Sequence, residues 1–185
     1  TQLLPEVVQD RHRFREKLVG LAPSVAHMGV YLGLNKSVEE LGLSSSNHFL
    51  YTDEYNHDAA RTAYFESGED LPLVFVSFPA AKDPYAREQR PEHSTAEAIA
   101  FVPYKWFEEW EETRWNHRGE GYDELKERIA QQMLQRLYAI APQVEGAVDH
   151  IEISTPLSTK HFMQHDTGEI YGLSHTPARF MNTLL

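Results

Sequence analysis

LVFVSFPAAKDPYAREQRPEHSTAEAIAFVPY, Leu73 to Tyr104, is the stretch on which the reading of the whole chain turns. Leu73, Val74, Phe75, Val76 and Phe78 form a short, nearly continuous apolar run of β-favouring residues. Ala96 to Val102 forms a second run, broken only by Glu97. Each is too short for a helix and is bounded by turn-forming residues, so both read as strands. Apolar residues at successive positions imply cover on both faces, which puts the pair near the middle of a sheet. Between them Pro79 to Thr95, dense in Pro and charge, reads as a long surface loop.

Working outward, Thr1 to Val19 reads as a helix, because Leu4, Val7, Val8, Phe14 and Leu18 share a side and Gly20 and Pro23 end it. Val25 to Leu34 reads as a strand whose Gly29 and Gly33 mark close packing or a close backbone approach. Ser37-Val38-Glu39-Glu40 fits a capping box, closed by Gly42. His48 to Thr52 is a further strand and Asp58 to Glu66 a helix stopped by Ser67-Gly68. Lys105 to Trp115 reads as helical, with Trp106, Phe107 and Trp110 as core or contact aromatics. Tyr122 to Ala141 carries the clearest helical period, and Pro142 bars its continuation. Val148 to Ser154 returns as a strand, followed by a helical turn and a last strand near Ile170 to Leu173. The sum is α+β, a mainly antiparallel sheet with flanking helices, read as one domain over residues 1–185.

Several function classes fall away on composition. The formal charge of −11 argues against nucleic acid and against a polybasic lipid contact. No apolar stretch approaches the roughly 20 residues of a membrane span, and the N-terminus is not signal-like, so the expected location is cytoplasmic or peripheral at a membrane. The absence of cysteine removes disulfides, thiol nucleophiles and thiolate metal sites. Ten histidines raise the question of metal. His161 and His165 stand i, i+4, yet no His-Glu-x-x-His accompanies them and no metal is expected. No Gly-x-Ser-x-Gly is present, and acid pairs such as Glu108 and Glu112 fit a solvated helix face. The only Gly-x-Gly, Gly119-Glu120-Gly121, lacks the apolar strand a dinucleotide fingerprint needs ahead of it. The chain opens at Thr1 rather than Met, and the expectation is a piece of a larger protein.

Ser154 to His175 is different in character. Gly168 and Gly172 would let backbone approach a flat ligand, and Tyr171 offers an amphipathic ring suited to a mostly apolar pocket. The competing reading is a glycine-cornered hairpin packed under the sheet.

Several segments together carry a resemblance: Ser77 to Pro84 (SFPAAKDP), Tyr104 to Trp110 (YKWFEEW) and Arg118 to Lys126 (RGEGYDELK). Leu32-Gly33-Leu34, Glu39 to Leu43 and the span from Thr155-Pro156-Leu157 to Tyr171-Gly172 join them in consistent order. The chain resembles the retinol saturase branch of the phytoene desaturase and carotenoid isomerase flavoproteins. The resemblance implies a flavin lobe built from both ends of a longer sequence and an inserted substrate lobe of sheet and helices. This chain would be that substrate lobe, with residues 155–185 returning towards a missing flavin lobe. FAD is then expected in the full-length parent and not tightly bound here, and the partner is an apolar polyene or isoprenoid. Thr155, Pro156, Gly168 and Gly172 would lie near substrate or flavin, and Tyr171 or His175 would deliver a proton.

The first hypothesis is therefore a fragment of an FAD-dependent oxidoreductase acting on a conjugated isoprenoid, inactive alone. A second is a free-standing apolar-ligand or protein-interaction module, with self-association through exposed apolar surface. A third, a small acidic enzyme with a catalytic histidine, would draw on His161, His165 or His175.

Overall fold

Strands in this chain are set by alternation rather than by the apolar runs alone. The computed structural model describes residues 4–11, 16, 20–52 and 55–181. In chain order the elements are α1 (Glu6–Arg11), β1 (Ala26–Leu34), α2 (Val38–Leu41), β2 (His48–Tyr51), α3 (His57–Ser67) and β3 (Leu73–Ser77). There follow α4 (Pro79–Lys82), α5 (Pro84–Gln89), β4 (Ser94–Val102), α6 (Glu120–Ile140), β5 (Val148–Ser154), α7 (Pro156–Met163) and α8 (Pro177–Phe180). The five strands form one antiparallel sheet in the order β2-β3-β4-β1-β5, so the architecture is α+β.

The core lies on one side of that sheet. Val74, Val76, Ala98, Ala100, Met28 and Val30 all point to it and are essentially inaccessible. Opposite them lies α6, whose Ile129, Met133 and Leu137 recur at four-residue intervals and are fully buried. Burying each such side chain contributes about 1.5–3 kcal/mol, so this single helix supplies much of the cohesion. A second stripe on α6 holds a loop: Arg128 and Gln132 donate to the Gly68 carbonyl, and Arg136 donates to that of Leu71.

Local signals that name a backbone need are honoured. Ser37 and Glu40 form a reciprocal capping box on α2, with Gly42 closing it. Phe107 is fully buried, Trp106 packs edge-on against Tyr64 at 5.2 Å and Trp110 against Tyr122 at 5.7 Å, so these aromatics are core.

Four expectations are corrected. Pro79 to Thr95 is not a long loop. Pro79 and Pro84 each sit in the first helical turn, where a missing N–H costs nothing, and Asp83 caps α5 by accepting from the Tyr85 N–H. Lys105 to Trp115 is two 3-10 turns, Tyr104–Trp106 and Glu108–Trp110, a tighter path that drops Phe107 into the core. The strand near Ile170 to Leu173 is reduced to isolated bridges, Pro23 to Leu173 and Ala26 to Glu169, because Gly168 and Gly172 both take positive φ and turn the chain. The central strand pair is covered along its length on one face, and among the described residues the other face has α4 over its Ser77 end alone. Of the N-terminal helix, Glu6–Arg11 is seen, while Phe14 and Leu18 lie outside the described residues.

Two joints tie the C-terminal segment down. The hydroxyls of Tyr122 and Thr155 share a 2.7 Å hydrogen bond in the interior, linking α6 to the start of α7. Gly168, at φ +59°, crosses that same turn so closely that a Cβ there would lie 2.6 Å from the Pro156 Cα. Tyr122→Phe, which leaves the Thr155 hydroxyl buried, should lower unfolding free energy by about 1–3 kcal/mol. Gly168→Ala should cost more than about 2 kcal/mol through clash and strain together. At Gly172, whose positive φ opens on empty space, alanine should cost only the backbone strain of about 1–2 kcal/mol. Urea midpoints of the three variants check this order.

Candidate functional site

Side chains on the odd-numbered positions of β3 and β4 face away from α6, and among the described residues no helix covers the middle of that side. Tyr51 pairs with Leu73 and Phe49 with Phe75, which in turn pairs with Ile99. Phe101 stands two residues beyond Ile99 on the same face. Phe49 and Phe75 meet edge to face at 5.2 Å, and Phe49 remains 58% exposed. The result is an apolar hollow of about 170 Å³, walled on its outer side by Ile170 and Tyr171. Next to it on β1, the Tyr31 ring lies over Gly29, where a Cβ would come within 2.7 Å of Cζ. Gly29 is thus a site of close side-chain packing.

The C-terminal strap that brings Tyr171 to the hollow is held by backbone. Ile170 N–H donates to the Val25 carbonyl, Ser24 N–H to that of Gly172 and Ser174 N–H to that of Ala22. The Tyr171 N–H donates to the Ser24 hydroxyl. The Tyr171 and His175 rings are 5.9 Å apart, and His175 stacks on Phe180 at 6.0 Å. Tyr171, Gly172 and His175 therefore sit together at the rim of the open face. Thr155 and Pro156 do not join them. Both are buried at the start of α7, and Gly168 packs on the Pro156 backbone.

The opposite end of the face is polar. Ser77, in register with Glu97, is buried beneath α4, and the Lys82 ammonium donates to its hydroxyl at 2.5 Å and to the Asn47 side-chain carbonyl. Sequence reasoning missed this end, and it also missed the hollow. The available signal was the AEAIAF pattern, small residues at 96, 98 and 100 alternating with Glu97, Ile99 and Phe101, which marks two unlike faces.

The histidines are dispersed. His161 stacks on Trp115 at 5.7 Å, while His165 lies past the end of α7 and bonds the Glu169 carbonyl. Among the described residues no three His, Asp or Glu side chains gather as a metal site, and no helix is long and apolar enough to cross a membrane. Nearby, Tyr104 donates to Glu111, which also pairs with Lys160 at 2.8 Å. Lys160 and Tyr104 together hold the Glu111 carboxyl below its usual range, and burial with the Glu111 bond pushes the Tyr104 phenol up. This cluster ties the 3-10 turns to α7. A larger cleft of about 660 Å³, under α4 and α5, is bordered by Asp83, Arg90, His93 and His150. Gly33 lines it, while Thr155, Pro156, Gly168, Tyr171, Gly172 and His175 do not.

Among the described residues, the one Gly-x-Gly does not fit the pyrophosphate turn of an FAD cradle. Gly119-Glu120-Gly121 opens α6 after 3-10 turns and bends, with no strand leading into it, so the pyrophosphate-binding turn has no frame.

His27, on β1 beside Phe101 in register, has its Nδ1 buried without a partner. Burial chiefly, and His165 in addition, hold its imidazole below the ordinary 6.5, with the Gly168 backbone opposing. The unfolded chain then binds the proton more readily, so the stabilisation is complete above about pH 6.5 and is lost as pH falls below it. Unfolding measured from pH 7.5 to 5 should show His27→Gln losing stability less steeply than the parent.

No family model matches the chain. Among curated relatives, a protein named all-trans-retinol 13,14-reductase from Danio rerio is 33% identical over 96% of this chain and 30% of its own length. Its namesake from Rattus norvegicus is 30% identical with the same coverage. A Danio rerio protein named inactive all-trans-retinol 13,14-reductase is 33% identical over 84% of this chain and 26% of its own length. The chain spans about 30% of the length of the first two, and likeness over this span is shared by a relative named inactive. Along nearly its whole length, the chain is homologous to one segment of the all-trans-retinol 13,14-reductase (retinol saturase) family.

Proposed function

We propose that the open face of the sheet is the wall on which a conjugated isoprenoid lies, within a larger FAD-dependent oxidoreductase whose flavin lobe is formed by other sequence. The observation that carries this reading is the aromatic hollow under Tyr171, in a chain homologous to proteins named for a retinol reductase. A flat polyene has almost no polar surface, so burial and shape must supply its binding. The rings of Phe49 and Phe75 and the side chains of Leu73 and Ile99 present that kind of surface.

In the whole protein the flavin would supply the electron and hydride chemistry. The reaction class is reduction of the conjugated chain, with desaturation and isomerisation as its chemical neighbours. The part of this chain is to hold the polyene in plane and exclude water from one side of it. In this reading Tyr171 gives a proton to carbon at the rim, and the ring contact of His175 behind it supports that role. Residues 155–185 carry these groups back towards the flavin lobe, and by itself the chain is inactive.

Titration of the chain with all-trans-retinol, followed by tryptophan fluorescence, tests the wall. Phe75→Asp should weaken binding by more than about tenfold, since it sets an unpaired carboxylate in the apolar hollow. Unchanged binding would remove the reading. In the whole protein, Tyr171→Phe should leave retinol affinity unaltered and lower turnover by about 10²–10⁴-fold, the scale of a positioned general acid.

A further inference from the structure

The sheet has two edges, β2 and β5, and they are built differently. A strand edge leaves a row of N–H and C=O groups open to another strand, and proteins blunt it with charge, bulges or proline. β5 is blunted in this way. Its register on β1 shifts at Gly33/Leu34, which leaves Asp149 as an extra residue, and Asp149, His150 and Glu152 stand exposed along it. In a chain of formal charge −11, those carboxylates repel a second copy. β2 has none of these devices. It carries no Asp, Glu, Lys, Arg or Pro, and its pairing with β3 is unbroken. Phe49 and Tyr51 are 58% and 46% exposed on it. Two copies of this acidic chain can therefore meet at β2 without bringing like charges together.

The register also says which backbone groups of β2 are open. The Thr52 N–H donates to the Pro72 carbonyl at 3.3 Å, one step beyond the Tyr51–Leu73 pair. Inward and outward groups alternate along an antiparallel strand, so His48 and Leu50 bond β3 as Thr52 does. The N–H and C=O of Phe49 and Tyr51 therefore point away from β3, and among the described residues no strand lies beyond them. We propose that β2 pairs antiparallel with β2 of a second copy, centred on Leu50, so that the two sheets become one. Phe49 then lies opposite the partner's Tyr51 on the open face, and each such pair exchanges both backbone hydrogen bonds. Leu50, which packs against the core, meets the partner's Leu50 on the side of α6. Centring on Phe49 or Tyr51 instead would set one of the two against a residue outside the strand. A four-residue strand buries less than the roughly 1,200 Å² of a stable dimer, so the association is reversible.

Sedimentation velocity of the 185-residue chain, from micromolar to millimolar concentration, tests the pairing. The parent should pass from monomer to dimer as concentration rises. Phe49→Lys and Tyr51→Glu should each raise the midpoint concentration by about tenfold or more, because each sets a charge against an uncharged ring. Combined in one chain, the two changes put opposite charges across both pairs and should recover most of the dimer. Mixed as separate chains, the single variants should associate with each other more readily than either does with itself. Tyr51→Pro, which removes an outward N–H and leaves the ladder to β3 whole, should give monomer and serves if a charge variant fails to fold by its urea midpoint. Ile151→Lys, at the β5 edge, adds the same charge as Phe49→Lys and should leave the midpoint where it is in the parent. A chain that stays monomeric throughout leaves this edge to a strand of another protein and overturns the proposal. A dimer that Ile151→Lys breaks, or that the combined charges fail to restore, is assembled through another surface and overturns it too. Retinol has no part in these measurements, so the pairing and the polyene wall stand or fall separately.

Discussion

The close approach of α6 to the sheet depends on β4 presenting only methyl groups to it. Ala96, Ala98 and Ala100 leave room above the central strand, and Ile129, Met133 and Leu137 fill that room. A larger side chain at Ala98 would lift the helix and open the core on both flanks, because interiors pack at crystal-like density and yield little. With the helix seated, Arg128, Gln132 and Arg136 reach the Gly68 and Leu71 carbonyls, and Tyr122 reaches Thr155. The loop before β3 and the first turn of α7 are therefore positioned by one packing contact.

The same alternation that makes one face small makes the other large. Opposite the alanines, β4 carries Glu97, Ile99 and Phe101, and its neighbours add Phe49, Leu73 and Phe75. Among the described residues, helix cover apart from α4 at the Ser77 end lies on the alanine side, so these side chains stay partly in water. Apolar surface gathered in one patch costs a protein solubility, and such patches mark contact with a ligand or partner. In the function proposed above, a polyene and a flavin lobe are what meet this one.

Charge along the open face is distributed unevenly. At one end the strap brings Tyr171 and His175 to the rim by backbone bonds to residues 22–25. At the other, α4 lowers Lys82 onto Ser77 beside Glu97. Neither polar end needs a conserved loop or a metal to form. Each follows from where a short segment crosses the sheet.

Much of the fold was legible in residue order, because its signals are local. The period of Tyr122 to Ile140, the Ser37 capping box, the Gly68 stop and the two central strands each depend on neighbours within a few positions. Family likeness could be read too, from short motifs kept in sequence order. What residue order could not say was which face of the central strands would be covered, since that depends on where a helix some 20 residues further on comes to rest. For the same reason Thr155 and Pro156 read like a ligand corner and lie in the interior under Tyr122, while Lys82, in a segment that read as loop, stands over the sheet. Local chemistry sets the elements; only their packing decides which side chains are left facing outward.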